Sequence, residues 1–194
     1  MKCIVTGGAG FLGRHLVRRL VDEGHEVRVL DAQDPEGVLP EGVDMRRGDI
    51  CNGHDAIHAV KDVDVVWHLA AEPRVEMCRQ VPDRTTDWNV TGTVKIVREA
   101  VAAGVGRVVF ASSAAACRPR NIYGEQKRAA ERLGRKVCRG TDAEFVPLRF
   151  ENIYGPGANA GVVKAFLEAA LEGGPLQVHG DGKQERDYLY VEDA

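Results

Sequence analysis

The chain has 194 residues and a formal net charge of −3, from 26 basic and 29 acidic side chains. With 44% hydrophobic and 28% charged residues it is ordinary for a soluble globular protein, which excludes long disorder, and its charge is no footprint for nucleic acid or an anionic membrane surface. A chain this long buries roughly 70% of its unfolded surface, so its core needs no disulfide or metal staple.

Cys3-Ile4-Val5 predicts a buried strand, and Phe11 to Glu23 the helix after it. Glu26 to Leu30 reads as a second strand, Val43 to Arg47 as a third, Asp64 to Leu69 as a fourth and Arg107 to Ser112 as a fifth. Between them Asp55 to Val60, Thr86 to Ala103 and Tyr123 to Arg139 carry helical periodicity, and Phe145 to Arg149 is a further apolar strand. The alternation predicts an α/β fold, a doubly wound parallel sheet with helices on both faces, because strands covered on both sides are apolar throughout. After Tyr154-Gly155-Pro156-Gly157 the rhythm changes. A helix over Val162 to Leu171, a turn at Gly173-Gly174-Pro175 and two strand-like pieces, around Leu176 to His179 and Tyr188 to Val191, complete the chain.

Thr6-Gly7-Gly8-Ala9-Gly10-Phe11-Leu12-Gly13 follows the first strand and opens the first helix. Gly8, Gly10 and Gly13 meet the dinucleotide fingerprint literally, and Gly7, Gly10 and Gly13 meet its close variant. Such glycines serve the tight turn, the backbone approach to pyrophosphate and close helix–strand packing, while the helix N-terminus faces the phosphates with Phe11 and Leu12 in its first turn. Asp31 ends the second strand, where an acid accepts hydrogen bonds from the adenosine ribose hydroxyls and repels a 2′-phosphate. Ala32 and Gln33 bring no cation to rescue that phosphate, so the cofactor expected is NAD. Asp49 is placed to accept from the adenine amino group with Ile50 on the ring, and Leu69-Ala70-Ala71 after the fourth strand lets backbone approach the cofactor. The expected organisation is a Rossmann-type NAD-binding domain over residues 1–150 and a small, truncated substrate lobe over 151–194.

Tyr123 and Lys127 stand four apart at a helix start and share a face. One ammonium at about 4 Å, in an effective dielectric near 20, supplies about 4 kcal/mol, so a single lysine together with the positive nicotinamide is sufficient to bring a tyrosine from about 10 to about 7. Ser112-Ser113 ends the fifth strand on the ligand-binding edge of the same sheet, where a serine hydroxyl can bond both a substrate oxygen and the tyrosine.

These residues resemble the extended short-chain dehydrogenase/reductase superfamily, in its NAD-dependent epimerase/dehydratase branch, over nearly the whole chain. The resemblance implies Ser113, Tyr123 and Lys127 as a catalytic set, with Tyr123 and Lys127 also touching the cofactor. It implies Asn89, in Asn89-Val90-Thr91-Gly92-Thr93, as the family's helix asparagine on the cofactor side, and Phe150 beside the nicotinamide. Arg149-Phe150-Glu151-Asn152-Ile153-Tyr154-Gly155-Pro156-Gly157 and Gly180-Asp181-Gly182 through Arg186-Asp187-Tyr188 and Tyr190-Val191 resemble two family segments. In nucleotide-sugar members these contact the diphosphate, which implies Asn152 and Arg186 as substrate-binding residues alongside Ser113. The substrate expected is a UDP-sugar and the reaction a 4-epimerisation by transient oxidation at C4. A net sugar dehydrogenase or reductase, and a catalytically weak NAD- or nucleotide-sugar-binding protein, are the alternatives.

Three departures qualify that expectation. Only Ala114-Ala115-Ala116-Cys117-Arg118-Pro119-Arg120-Asn121-Ile122 separate Ser113 from Tyr123, a shorter loop than the family's. The Asp-Glu pair of 4,6-dehydratases and the glutamate of the decarboxylases have no counterpart. The chain stops just after its Tyr-Val-x-Asp segment, where full-length members continue into the sugar lobe.

Other features read more plainly. His54 and His58 stand at metal-ligand spacing with no third ligand, so a solvated helix face is expected and no metal. Arg128, Arg132, Arg135 and Arg139 form a stripe read as a solvated face. Ala130, Leu133 and Val137 give the Tyr–Lys helix an apolar face, and the family's equivalent helix often pairs with another subunit's, so a homodimer is expected. Five cysteines without a C-x-x-C pair read as free thiols in a reducing cytoplasm, Cys117 among them.

Overall fold

The structure, a computed structural model, describes residues 1–33, 39–158 and 160–194. The chain divides into two compact units, Met1–Arg149 and Phe150–Ala194.

The first unit is built on six strands, β1 (Lys2–Thr6), β2 (Glu26–Asp31), β3 (Asp44–Arg47), β4 (Val65–His68), β5 (Arg107–Ser113) and β6 (Glu144–Phe150). Their spatial order is β3-β2-β1-β4-β5-β6, and the pairs β1–β2, β1–β4, β2–β3 and β4–β5 are parallel. The helices are α1 (Phe11–Asp22), α2 (Gly53–Val60), α3 (Val75–Gln80), α4 (Pro82–Thr86), α5 (Thr93–Ala102) and α6 (Ile122–Cys138). A doubly wound α/β sheet results, as the alternation of apolar runs predicts. Its two faces are dry. Ile4, Leu30, Val66 and Val108 pack with α2 and α5 residues on one side, and Cys3, Val5, Val27 and Val29 pack with Val17 and Leu20 of α1 on the other. β1 lies between β2 and β4, so the strand order reverses there, and the carboxyl ends of β1 and β4 open the crevice in which such sheets take ligands.

Several local outcomes differ from the sequence expectation. The periodicity from Thr86 to Ala103 is broken by a widened π-turn over Asp87–Gly92 between α4 and α5. α3 was not expected at all. It is six residues long, too short for a periodic signal, and buries only Cys78. Ala130 is fully buried and Val137 packs on the core of its own chain, as does the Phe145 ring against Gly134, so this face of α6 is not the free surface on which the homodimer expectation rested.

In the second unit β7 (Asn152–Tyr154) pairs with β8 (Tyr188–Tyr190), and α7 (Val162–Leu171) follows Gly161. Leu176 to His179 forms no strand, because no other strand pairs with it among the described residues. α7 buries none of its residues, and Leu171 is 87% exposed. No helix among the described residues is long and apolar enough to cross a membrane.

Candidate active site

The turn after β1 is closed by backbone. Gly7 N–H donates to Leu30 O and Gly10 N–H to Gly7 O. Gly7 has φ of 73°, the left-handed region that favours glycine. A Cβ on Gly13 would lie 2.1 Å from Gly7 O, so α1 packs onto the turn at a distance only glycine permits. α1 starts from Gly10 with no side-chain cap and no acidic residue in its first turn, which leaves its positive end to an anion. This cradle fits a dinucleotide pyrophosphate. Asp31 supports it from β2: Oδ2 accepts from Ala9 N–H at 2.9 Å and Oδ1 from Gln33 N–H at 3.0 Å. Each oxygen keeps a lone pair for a ribose hydroxyl.

The carboxyl end of β4 lies against the same turn. A Cβ on Gly7 would come within 2.7 Å of Ala70 N, and Leu69, Ala70 and Ala71 are half-buried. Beyond β3, Asp49 is exposed, with Oδ1 accepting from Cys51 N–H at 2.9 Å. Ile50, next to it, is largely buried against the core and stands 2.8 Å from where a Gly92 Cβ would be.

Ser113 ends β5 and caps a short 3-10 turn over Ala114–Ala116, its Oγ accepting from Ala115 N–H at 3.2 Å. Asn121 then caps α6, its Oδ1 accepting from Gly124 N–H at 2.9 Å. The short loop therefore still brings Tyr123 to the side of Ser113, whose hydroxyl pulls the phenol's pKa down. Lys127, one turn on, is 3% exposed; its Nζ donates to Ala111 O at 2.8 Å and lies 4.6 Å from the Phe110 ring centroid and 5.9 Å from that of Tyr123. Burial pulls the Lys127 ammonium down to about 8. Burial also pushes the Tyr123 phenol up to about 12, with the Ser113 hydroxyl pulling weakly the other way. In the protein alone desolvation decides the phenol's state, and the lowering expected of Lys127 together with a positive nicotinamide belongs to the cofactor-bound state.

Asn89 is 0% exposed, its Oδ1 accepts from Glu72 N–H at 2.8 Å, and its Nδ2 donates to Gln126 Oε1 at 2.8 Å and Glu72 O at 3.0 Å. It holds the loop after β4 to α6. Sequence reasoning missed Gln126, the neighbour of Lys127, which is buried and also donates to Thr85 and Thr86 Oγ1 at 3.0 Å. It missed Glu131 too, although a carboxylate four residues after the lysine is a visible signal.

In the second unit Asn152 Nδ2 donates to Asp187 O at 3.1 Å, so the β7–β8 pairing sets it beside the segment carrying the exposed Arg186. Phe150 ends β6, half-buried. The rings of His54 and His58 lie 4.3 Å apart on α2, and among the described residues no cluster of three or more His, Cys, Asp or Glu is arranged to hold a metal. All five cysteines are free thiols, and Cys117 is exposed.

Residues 3–194 match the NAD dependent epimerase/dehydratase family. The chain belongs to that family. Its cofactor is NAD, in keeping with the glycine cradle and Asp31. It is 32% identical to a putative UDP-glucose 4-epimerase of Methanocaldococcus jannaschii, over 98% of this chain and 70% of that protein. It is also 32% identical to a UDP-N-acetyl-alpha-D-glucosaminuronate decarboxylase of Bacillus cytotoxicus, over 100% of this chain and 68% of that protein. Among solved structures, MoeE5 in complex with UDP-glucuronic acid and NAD superposes with a TM-score of 0.89 at 34% identity, covering 98% of this chain and 68% of that one.

Proposed function

We propose that the protein is an NAD-dependent nucleotide-sugar epimerase acting at C4 of a UDP-sugar. The observation that carries this reading is the placement of Tyr123 and Lys127 one turn apart on α6, with Ser113 at the end of β5 acting on the phenol, and no carboxylate in the chain between Ser113 and Tyr123. The relatives include both epimerases and decarboxylases. An all-alanine turn after Ser113 gives decarboxylation no acid of its own there, and the nearby Glu131 is spent on arginines.

Bound NAD would supply the hydride chemistry of a transient oxidation at C4. The chain's residues manage the proton and the position. Tyr123 Oη takes the proton of the C4 hydroxyl and gives it back. Ser113 Oγ orients that hydroxyl and bonds the phenol. Lys127 favours the phenolate electrostatically and holds the nicotinamide ribose. Gly7, Gly10 and Gly13 with Phe11 and Leu12 receive the pyrophosphate, and Asp31 the adenosine ribose. Asp49 flanks the adenine, Leu69-Ala70-Ala71 and Phe150 flank the nicotinamide, and Asn152 and Arg186 bind the substrate diphosphate. Arginine suits that task because its planar fork binds phosphate bidentately.

The test is incubation of the full chain and NAD with UDP-glucose or UDP-galactose, followed by proton NMR of the anomeric signals. Interconversion without accumulation of NADH is expected. Steady NADH formation instead identifies a net dehydrogenase, and release of carbon dioxide from UDP-glucuronic acid a decarboxylase; either overturns the reading.

A further inference from the structure

His68 ends β4 and is 0% exposed, with its ring stacked on Phe110 at 5.7 Å. Both its nitrogens are engaged: Nδ1 lies 2.6 Å from Thr6 Oγ1 and Nε2 lies 3.0 Å from Thr93 Oγ1. The direction of each bond follows from what lies beyond it. Thr93 Oγ1 donates its single proton to Asn89 O at 2.9 Å, and a carbonyl only accepts. Thr93 Oγ1 must therefore accept from His68, which puts the ring proton on Nε2. Nδ1 is then the acceptor and takes the proton of Thr6 Oγ1, and Thr6 Oγ1 in turn accepts from Ala70 N–H at 3.3 Å. Burial supports the neutral ring, with the Lys127 charge acting in the same sense; together they hold the imidazole down to about 3.

The chain of donors thus runs from Ala70 N–H through Thr6 and His68 to Thr93 and the Asn89 carbonyl, each group with one assignment. The Asn89 amide carries it on to Gln126, beside Lys127 on α6. At its other end Ala70 abuts Gly7 of the glycine turn. We propose that His68 is a positioning residue: a neutral Nε2–H imidazole that ties the glycine-turn edge of β4, through Thr93 and Asn89, to the helix presenting Tyr123 and Lys127. It touches no substrate and acts by holding the cofactor edge and the tyrosine–lysine helix in one geometry. The proposal rests on the epimerase reading for its catalytic part alone, because the cofactor edge is present whatever the substrate.

The test uses the full chain, with NAD as the probe and UDP-glucose as the substrate. The variants are His68→Phe, which keeps a ring against Phe110, Thr93→Val, Thr93→Ser and the double variant His68→Phe/Thr93→Val. NAD affinity is measured by calorimetry at a temperature where circular dichroism shows every variant folded. The wild-type ring nitrogens are assigned by 15N NMR. The Nε2–H tautomer is expected. Each of His68→Phe and Thr93→Val weakens NAD binding by about fivefold, and the double variant is no worse than the weaker single. Thr93→Ser restores affinity to within about twofold, and kcat falls more than KM rises. An Nδ1–H tautomer, unchanged NAD affinity in both single variants, additive losses, or valine and serine behaving alike overturns the proposal. If the wild type binds NAD but interconverts no UDP-sugar, the epimerase reading fails, and the affinity series still decides the role of His68.

Discussion

Arg149 on β6 grips the Glu131 carboxylate of α6 with two nitrogens, Nε to Oε1 at 2.9 Å and Nη2 to Oε2 at 2.8 Å. Ser112 Oγ donates to the same carboxylate at 2.6 Å, and Arg135 Nη1 at 3.1 Å. Ser112 precedes Ser113, and Glu131 follows Lys127 by one turn, so this cluster fastens the end of β5 to the tyrosine–lysine helix. Burial opposes the Glu131 charge, but Arg149, Ser112 and Arg135 outweigh it and hold the carboxyl at about 2.

A carboxyl depressed in the folded state contributes stability that is present above its unfolded range, about 4.3, and is lost as pH falls towards 2. The contribution here is about 3 kcal/mol at pH 7. Glu131→Gln removes it, at a cost of about 3 kcal/mol, since the half-exposed Arg149 and Arg135 left behind remain solvated. Urea unfolding of both proteins at a series of pH values checks this. The stability gap is expected to narrow steadily below about pH 4; a gap that does not change with pH contradicts the assignment.

Lys127 works in the opposite sense. Its ammonium is pulled down to about 8 by burial, so the unfolded chain binds more protons than the folded one between about pH 8 and pH 10.4. Stability therefore rises with pH across that window, and below it the buried charge costs about 3 kcal/mol. Lys127→Met is expected to remove this rise and to abolish turnover. Its gain at pH 7 is smaller than 3 kcal/mol by about 1 kcal/mol, because Ala111 O loses its donor. Thermal melts at pH 7 and pH 9.5 test it; a wild type no more stable at the higher pH, relative to Lys127→Met, refutes the burial argument.

The strands were legible because β1, β2, β4 and β5 bury apolar side chains on both faces, and the glycine turn because Gly7 and Gly13 have no room for a Cβ. What the sequence concealed are polar groups that finish inside. Arg28 sits in the middle of β2, 7% exposed, where its Nη1 donates to Ala59 O at 2.9 Å and Lys61 O at 2.8 Å at the end of α2. No local periodicity announces such a long-range cap. The π-turn at Asn89 escaped for the same reason, since its partners Glu72 and Gln126 lie 17 and 37 residues away. The apolar face of α6 was visible, but whether it met its own sheet or another subunit is a tertiary matter. The desolvation of the Tyr123 phenol is likewise a tertiary matter that no spacing of residues announces.

Asp31 joins two tasks, and its removal separates them. Its Oδ2 accepts from Ala9 N–H within the glycine turn, and its charge stands where a 2′-phosphate would lie. Asp31→Ala loses a charge-assisted bond worth about 1.5 to 3 kcal/mol, so NAD binding is expected to weaken by about 10- to 100-fold. The penalty against NADP falls at the same time. Calorimetry with both nucleotides reads the ratio of affinities; an unchanged preference for NAD over NADP shows that Asp31 does not set it.

Tyr123→Phe tests the proton route most directly. The phenol is pushed up to about 12 by burial and moderated by the Ser113 hydroxyl, so the protein's own groups keep it protonated at pH 7. A group raised in the folded state adds stability below its unfolded value, near 10, and loses it as pH rises towards 12. The wild type should therefore lose an alkaline increment of stability that Tyr123→Phe lacks. The tyrosinate absorbance missing in the variant should titrate above pH 11 in the protein alone and at lower pH with NAD bound, because a positive nicotinamide favours the phenolate. Turnover should fall by about 10²- to 10⁴-fold, with NAD affinity held within a few-fold, since Lys127 and the glycine turn are untouched. A Tyr123→Phe protein that interconverts UDP-sugars at the wild-type rate removes Tyr123 from the chemistry, whatever the family resemblance.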